Sequence, residues 1–159
     1  ISNTDTVQTL HDRLAGMGAE LIKRTLEGLE KGVLKGKAQD EGQVTHASKL
    51  TKEMEALDLD DSAVSLDRKV RVLNPWPGTS VRVDDQRLKI KKTYPRPEIS
   101  GKKGEIFDRA GMLLLGLKSG CLELKMMQWE GKNELDAMGF VNGLKGSGRK
   151  LPLLVYKSK

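Results

Sequence analysis

The feature that most limits what this chain can fold into is a change of hydrophobic period at Gly78. Over 5–34 and again over 62–73 apolar residues recur at three- and four-residue steps, and after Gly78 they recur at every second position. The first period puts apolar side chains on one face of a helix and the second on one face of a strand, so the chain passes from helical to sheet structure there. Val81 and Val83 alternate with Arg82, a turn follows at Asp84-Asp85-Gln86, and Leu88 and Ile90 alternate with Arg87, Lys89 and Lys91, which describes a hairpin with one buried face. Further strands are expected over Gly104 to Phe107, Met112 to Leu117 and Cys121 to Trp129, separated by turn residues at 108–111 and 118–120. Glu134 to Leu144 reads as a short helix and Leu151 to Tyr156 as a closing strand. About five strands and one short helix suit an α+β fold centred on a small, partly open, five-stranded OB-like barrel, the type that binds oligonucleotides.

Ahead of the barrel, Val7, Leu10, Leu14, Met17, Leu21, Leu26 and Leu29 mark one face of a helix running from Asp5 to about Leu34. Asp5 or Thr6 is the expected N-cap, and Gly16 with Gly18 is expected to kink or divide the helix. The apolar stripe has nothing in the polar connector of residues 35–58 to cover it, which points to a partner surface. A second helix is expected from Ser62 to Leu73, ending where Asn74 must leave helical space before Pro75. The chain opens with Ile1 and runs directly into the capping pattern Ser2-Asn3-Thr4-Asp5, so it reads as a fragment. Two regions follow: a helical arm and linker over 1–58 that would join or pack on an absent domain, and the barrel over 59–159.

Charge separates the same two regions. Residues 1–67 carry 8 Lys and Arg against 13 Asp and Glu, and residues 68–159 carry 20 against 9. An excess of +11 in the second region exceeds what solubility asks and points to the phosphate backbone of RNA. Arg82, Arg87, Lys89 and Lys91 fall on the polar face of the hairpin. Lys92, Lys102, Lys103, Lys118, Lys145, Arg149 and Lys150 are candidates to extend that surface around the barrel. With two Phe, two Tyr and two Trp in all, the chain is poorly supplied for base stacking, so backbone contact is the better expectation. Asn74-Pro75-Trp76-Pro77-Gly78 is expected to be a structural corner, in which two prolines fix the backbone and the indole plugs the barrel seam.

Other chemistry finds little support. His11 and Asp12 are neighbours on a helix and point about 100° apart, so they do not make a base with its orienting carboxylate. Gly16-x-Gly18 and Gly146-x-Gly148 lack the strand, turn and helix of a phosphate loop. The single cysteine, Cys121, cannot form an internal disulfide, and neither a zinc site nor a signal segment is evident, so a reducing cytoplasm is the expected setting. No catalytic set, cofactor site or metal site is expected in this chain, and no apolar run is long enough for a membrane.

Four stretches carry a family resemblance: Ile1-Ser2-x-Thr4-Asp5-Thr6 leading to Leu10-His11-Asp12-Arg13-Leu14; Lys49-Leu50-Thr51-Lys52-Glu53; Arg71-x-x-Asn74-Pro75-Trp76-Pro77-Gly78; and Phe140-x-x-Gly143 with Gly148-Arg149-x-Leu151. In order and spacing they resemble the C-terminal half of methionyl-tRNA formyltransferases. His46, Leu57-Asp58-Leu59 and Val72 depart from that family's usual residues. The resemblance implies a parent enzyme that transfers a formyl group from 10-formyltetrahydrofolate to the amine of initiator methionyl-tRNA. The catalytic residues and the cofactor would lie in an N-terminal domain outside this chain, and the barrel would hold tRNA. It also implies an RNA contact for Arg13, near the junction with that domain. The alternative is a structural barrel of a related folate-dependent formyltransferase or hydrolase with a small-molecule substrate and no RNA partner.

Overall fold

A computed structural model describes residues 1–157, and the chain divides into two compact units, Ile1–Lys49 and Leu50–Lys159. The second unit begins at Leu50 rather than at 59. Leu57 is buried and its N–H donates to Ser80 O at 3.3 Å, so the end of the expected connector is part of the barrel's packing.

In the first unit, helix α1 (Val7–Glu30) starts at Thr6, whose hydroxyl accepts from Thr9 N–H while the Thr9 hydroxyl accepts from Thr6 N–H, a reciprocal cap. Gly16 and Gly18 do not divide it, and the helix runs unbroken for 24 residues. Each glycine costs roughly 1 kcal/mol against alanine, too little to interrupt a well-capped helix of this length. The stripe residues Leu14, Met17, Leu21, Leu26 and Leu29 are exposed.

In the second unit, helix α2 (Ala63–Leu73) is capped by the Ser62 hydroxyl and ends at Asn74 as expected. Strands β1 (Thr79–Val83), β2 (Gln86–Arg96), β3 (Glu105–Arg109), β4 (Met112–Gly116), β5 (Cys121–Trp129), β6 (Glu134–Asp136) and β7 (Leu153–Lys157) follow, with helix α3 (Ala137–Gly146) between the last two. The helix expected over 134–144 is therefore split. Glu134–Asp136 pairs with β5, and the Asp136 carboxylate accepts from Gly139 N–H at 2.7 Å to start α3.

The strand order is β2-β1-β7-β3-β4-β5, and β5 pairs back onto β2, which closes a six-stranded antiparallel barrel. This corrects the partly open, five-stranded expectation. Closure depends on β7 pairing with both β1 and β3, and on an eleven-residue β2 long enough to reach β1 and β5. Neither pairing leaves a mark in local periodicity. Alternate residues such as Val81, Val83, Leu88, Ile90, Leu115, Leu122 and Leu124 fill the interior, joined by Leu66 and Val70 of α2 and Phe140 and Leu144 of α3.

Segment 97–104 covers part of the outer face of the barrel. A Cβ at Gly101 would lie 2.5 Å from the Phe107 ring and 3.0 Å from Cys121 Sγ, so only glycine fits there. Beneath it Cys121 is buried, and desolvation pushes its thiol above the ordinary value. Glu123, outward-facing and also buried, is held by Arg96 at 2.7 Å and by Lys125.

Helix α2 is tied to the sheet by one buried carboxylate. Asp67 accepts from Thr93 Oγ1 of β2 at 2.8 Å and from Arg71 Nε, one helical turn on, at 2.9 Å.

Candidate nucleic-acid interface

The basic hairpin face forms as the alternation requires, but much of its charge is already engaged. Arg82 and Arg87 are direct partners across β1 and β2, an arrangement of like charges that is unfavourable unless both find other company. Arg87 turns to Glu55, with Glu130 at 3.6 Å and Ser80 Oγ at 3.2 Å, and is three-quarters buried. Arg82 donates to the Asp85 carbonyl at 3.3 Å.

Beyond Ile90 the pairing of β2 with β5 shifts register through a bulge. Ile90 and Thr93 face inward, and both Lys91 and Lys92 are directed away from the interior between them. Lys91 is paired with Glu134 of β6 at 2.7 Å, and Lys92 is exposed.

The other candidates fall into two groups. Lys102, Lys103 and Lys118 lie at the end of the barrel where segment 97–104 meets the β4–β5 turn. Of these, Lys102 is paired with Glu105 at 2.5 Å and Lys103 with Asp60 at 2.6 Å. Lys145, Arg149 and Lys150 gather at the C-terminal end of α3, where they line one pocket of about 400 Å³ with Asp108. Arg149 also contacts Gln86 at 3.0 Å and Asp84 at 3.9 Å, and its guanidinium lies 5.3 Å from the centre of the Trp129 ring.

Arg13 is held in the first unit by two bonds to Asp5, at 2.7 and 3.1 Å. These bonds, with that from the Ser2 N–H, keep the Asp5 carboxyl well below its ordinary range. Arg13 thus orders the start of α1, whatever else it contacts.

Of the barrel residues expected to meet RNA, Lys89, Lys92, Lys118, Lys145 and Lys150 form no ion pair among the described residues, and Arg82 has only the Asp85 carbonyl, so these five lysines are the expected contacts left for a polyanion. Sequence reading could place the basic residues but not their acidic partners, because Glu55 stands 32 residues from Arg87 and Asp60 stands 43 from Lys103. It also passed over Arg109 and Lys132, both exposed at the end of the barrel that carries the β3–β4 and β5–β6 turns.

The corner at 74–78 is closed by hydrogen bonds, and its indole is not where it was expected. Gly78 N–H donates to Leu73 O at 2.8 Å with Gly78 at φ +87°, and Asn74 Nδ2 donates to Lys91 O at 3.3 Å. Trp76 does not plug the seam and is 61% exposed. Val70, Leu73 and Ile90 already fill the junction between α2 and the sheet, and the tight return at Gly78 throws residues 75 and 76 outward.

Among the described residues no group of three or more His, Cys, Asp or Glu could hold a metal ion, and no helix is long and apolar enough to cross a membrane.

Residues 49–145 match the family described as formyl transferase, C-terminal domain. The chain is 36% identical over 154 residues to a methionyl-tRNA formyltransferase of Methylococcus capsulatus, covering 95% of this chain and 49% of that protein. It is 39% identical over 141 residues to one of Rickettsia bellii, covering 88% of this chain and 45% of that protein. It spans about half the length of the curated relatives it matches. Among solved structures it resembles HypX from Aquifex aeolicus, with a TM-score of 0.58 and 26% identity over 80% of this chain and 23% of that one.

Proposed function

The chain belongs to the formyl transferase C-terminal domain family, and from that membership we propose that it is the tRNA-holding part of a methionyl-tRNA formyltransferase. The observation that carries the reading is the set of unpaired lysines, Lys89, Lys92, Lys118, Lys145 and Lys150, on a barrel whose other basic residues are largely tied to carboxylates. Ion-paired cations hold the fold, and unpaired ones are free to replace the counterions of a phosphate backbone. Such contacts position a folded RNA without reading its sequence. The barrel's kinship to oligonucleotide-binding types is part of the same reading.

The formyl transfer itself needs a base for the amine proton and donors for the developing oxyanion. Those groups, and the site for 10-formyltetrahydrofolate, are assigned to a preceding domain outside this chain, in a cytoplasmic enzyme. The exposed stripe of α1 would pack against that domain, and Arg13, released from Asp5, would be available to the RNA near the junction. The other barrel residues expected to meet RNA, Arg82, Arg87, Lys91, Lys102, Lys103 and Arg149, would contribute by long-range attraction more than by direct contact.

The test is binding of initiator methionyl-tRNA to this chain at about 50 and about 200 mM salt, because affinity falls with salt in proportion to the phosphates contacted. Reversal of Lys89, Lys92, Lys118, Lys145 and Lys150 to Glu is expected to abolish binding with the fold intact. Reversal of Arg87 and Lys91 is the wrong variant, since it breaks the pairs with Glu55 and Glu134 and confounds binding with stability. Affinity no better than that of an unrelated protein of equal charge would defeat the reading. That result would favour the second reading, of a structural barrel in a related folate-dependent formyltransferase or hydrolase acting on a small molecule.

A further inference from the structure

The two tryptophans of the chain have opposite surroundings. Trp129 is half-buried and stacks on Phe140 with ring centroids 5.5 Å apart, whereas Trp76 is 61% exposed. An indole left in water forgoes one of the largest hydrophobic gains a side chain can make. Yet the backbone that carries Trp76 is closely held. Pro75 and Pro77 restrict φ on either side, the Gly78 to Leu73 bond closes the loop, and Asn74 anchors it to the backbone of Lys91.

That anchor ties the corner to the bulge of β2, where Lys92 is exposed and without an ion pair among the described residues. Of the other rings at the surface, Tyr94 is covered by the Arg96 guanidinium 4.6 Å from its centre and Phe107 has Arg109 at 5.8 Å, while Tyr156 of β7 is 56% exposed. Trp76 has no such aromatic or cation contact among the described residues. The result is a rigid, open aromatic plate on a loop joined to an unpaired ammonium group.

We infer that Trp76 is a stacking contact for an unpaired base of the bound RNA, with Lys92 taking the neighbouring phosphate. The inference rests on the RNA reading given above and adds to it a contact that phosphate attraction alone does not supply. Stacking on an aromatic side chain is tolerant of base identity because every base has a π-face. A plate already fixed by its backbone loses little freedom when a base settles on it.

The experiment measures binding of a labelled tRNA transcript to the whole chain and to W76A and W76F. W76A is expected to weaken binding roughly tenfold with an unchanged melting temperature, and W76F to restore most of it. In a W129F chain, where Trp76 is the remaining indole, its fluorescence is expected to be quenched as RNA is added. If W76A destabilises the barrel, the quenching result decides alone. W76A binding RNA as tightly as the parent, or no quenching at saturating RNA, overturns the stacking contact and leaves the RNA reading intact. Failure of the unsubstituted chain to bind the transcript overturns both.

Discussion

Helix α1 and the barrel are equally regular in sequence and unlike in how they are held. In α1 the apolar residues fall on one face, yet Leu14, Met17, Leu21, Leu26 and Leu29 are exposed. The order of that helix is local, from the reciprocal Thr6 and Thr9 cap and the Asp5 to Arg13 pair. In the barrel the same kind of residue, at period two, is buried by partners far along the chain: Leu88 on β2 and Leu122 on β5 are completely enclosed. Periodicity specifies a face, and burial depends on whether the chain returns to cover it.

The largest effect expected from this contrast is in paired truncations. Leu122→Ala removes a fully buried side chain and should cost about 2 to 5 kcal/mol, read as a lowered urea midpoint. Leu21→Ala, on the exposed stripe, should change stability by less than about 0.5 kcal/mol in the same measurement. Equal losses would erase the distinction between the regions.

A smaller loss is expected where each region uses a carboxylate. Asp67→Ala leaves the Thr93 hydroxyl without its acceptor at the α2 to β2 junction and removes the carboxylate from Arg71 Nε, and should cost about 1 to 3 kcal/mol in thermal melting. Asp5→Ala should leave the barrel transition in place and speed amide exchange only over the first turn of α1. A barrel transition shifted as far by Asp5→Ala as by Asp67→Ala would break the comparison.

The smallest effect is in acid. Burial raises the Glu123 carboxyl, but hydrogen bonds from Lys125 and Arg96, with their charges, outweigh it and leave the group below its ordinary value of 4.5. A carboxyl lowered in the folded state contributes stability that is fully present above its unfolded value and is lost as pH falls through the folded value. The urea midpoint of the barrel should therefore decline below about pH 4. Glu123→Gln should flatten that decline while lowering the midpoint at neutral pH, and an unaltered acid profile would exclude Glu123 as a contributor.

Much of the fold could be read from residue order. The switch of period at Gly78 placed β1 and β5 within a residue or two and the start of β2, which runs five residues beyond the alternation seen in the sequence. The stop before Pro75 placed the end of α2, and the Thr6 cap the start of α1. The basic residues were visible as residues. Each of these depends on chemistry within a few positions along the chain.

What the sequence by itself determined, then, is where helices and strands lie, which face of each is apolar, and that the barrel half is strongly basic. Only the tertiary structure decided that the sheet closes through β7 and the β2 to β5 pairing, that Glu55, Glu134 and Asp60 neutralise part of the basic surface, and that Trp76 faces out. The physical reason is the same in each case. Strand closure, ion pairing and exposure are set by groups that meet across tens of residues, and those meetings exist only once the chain has folded.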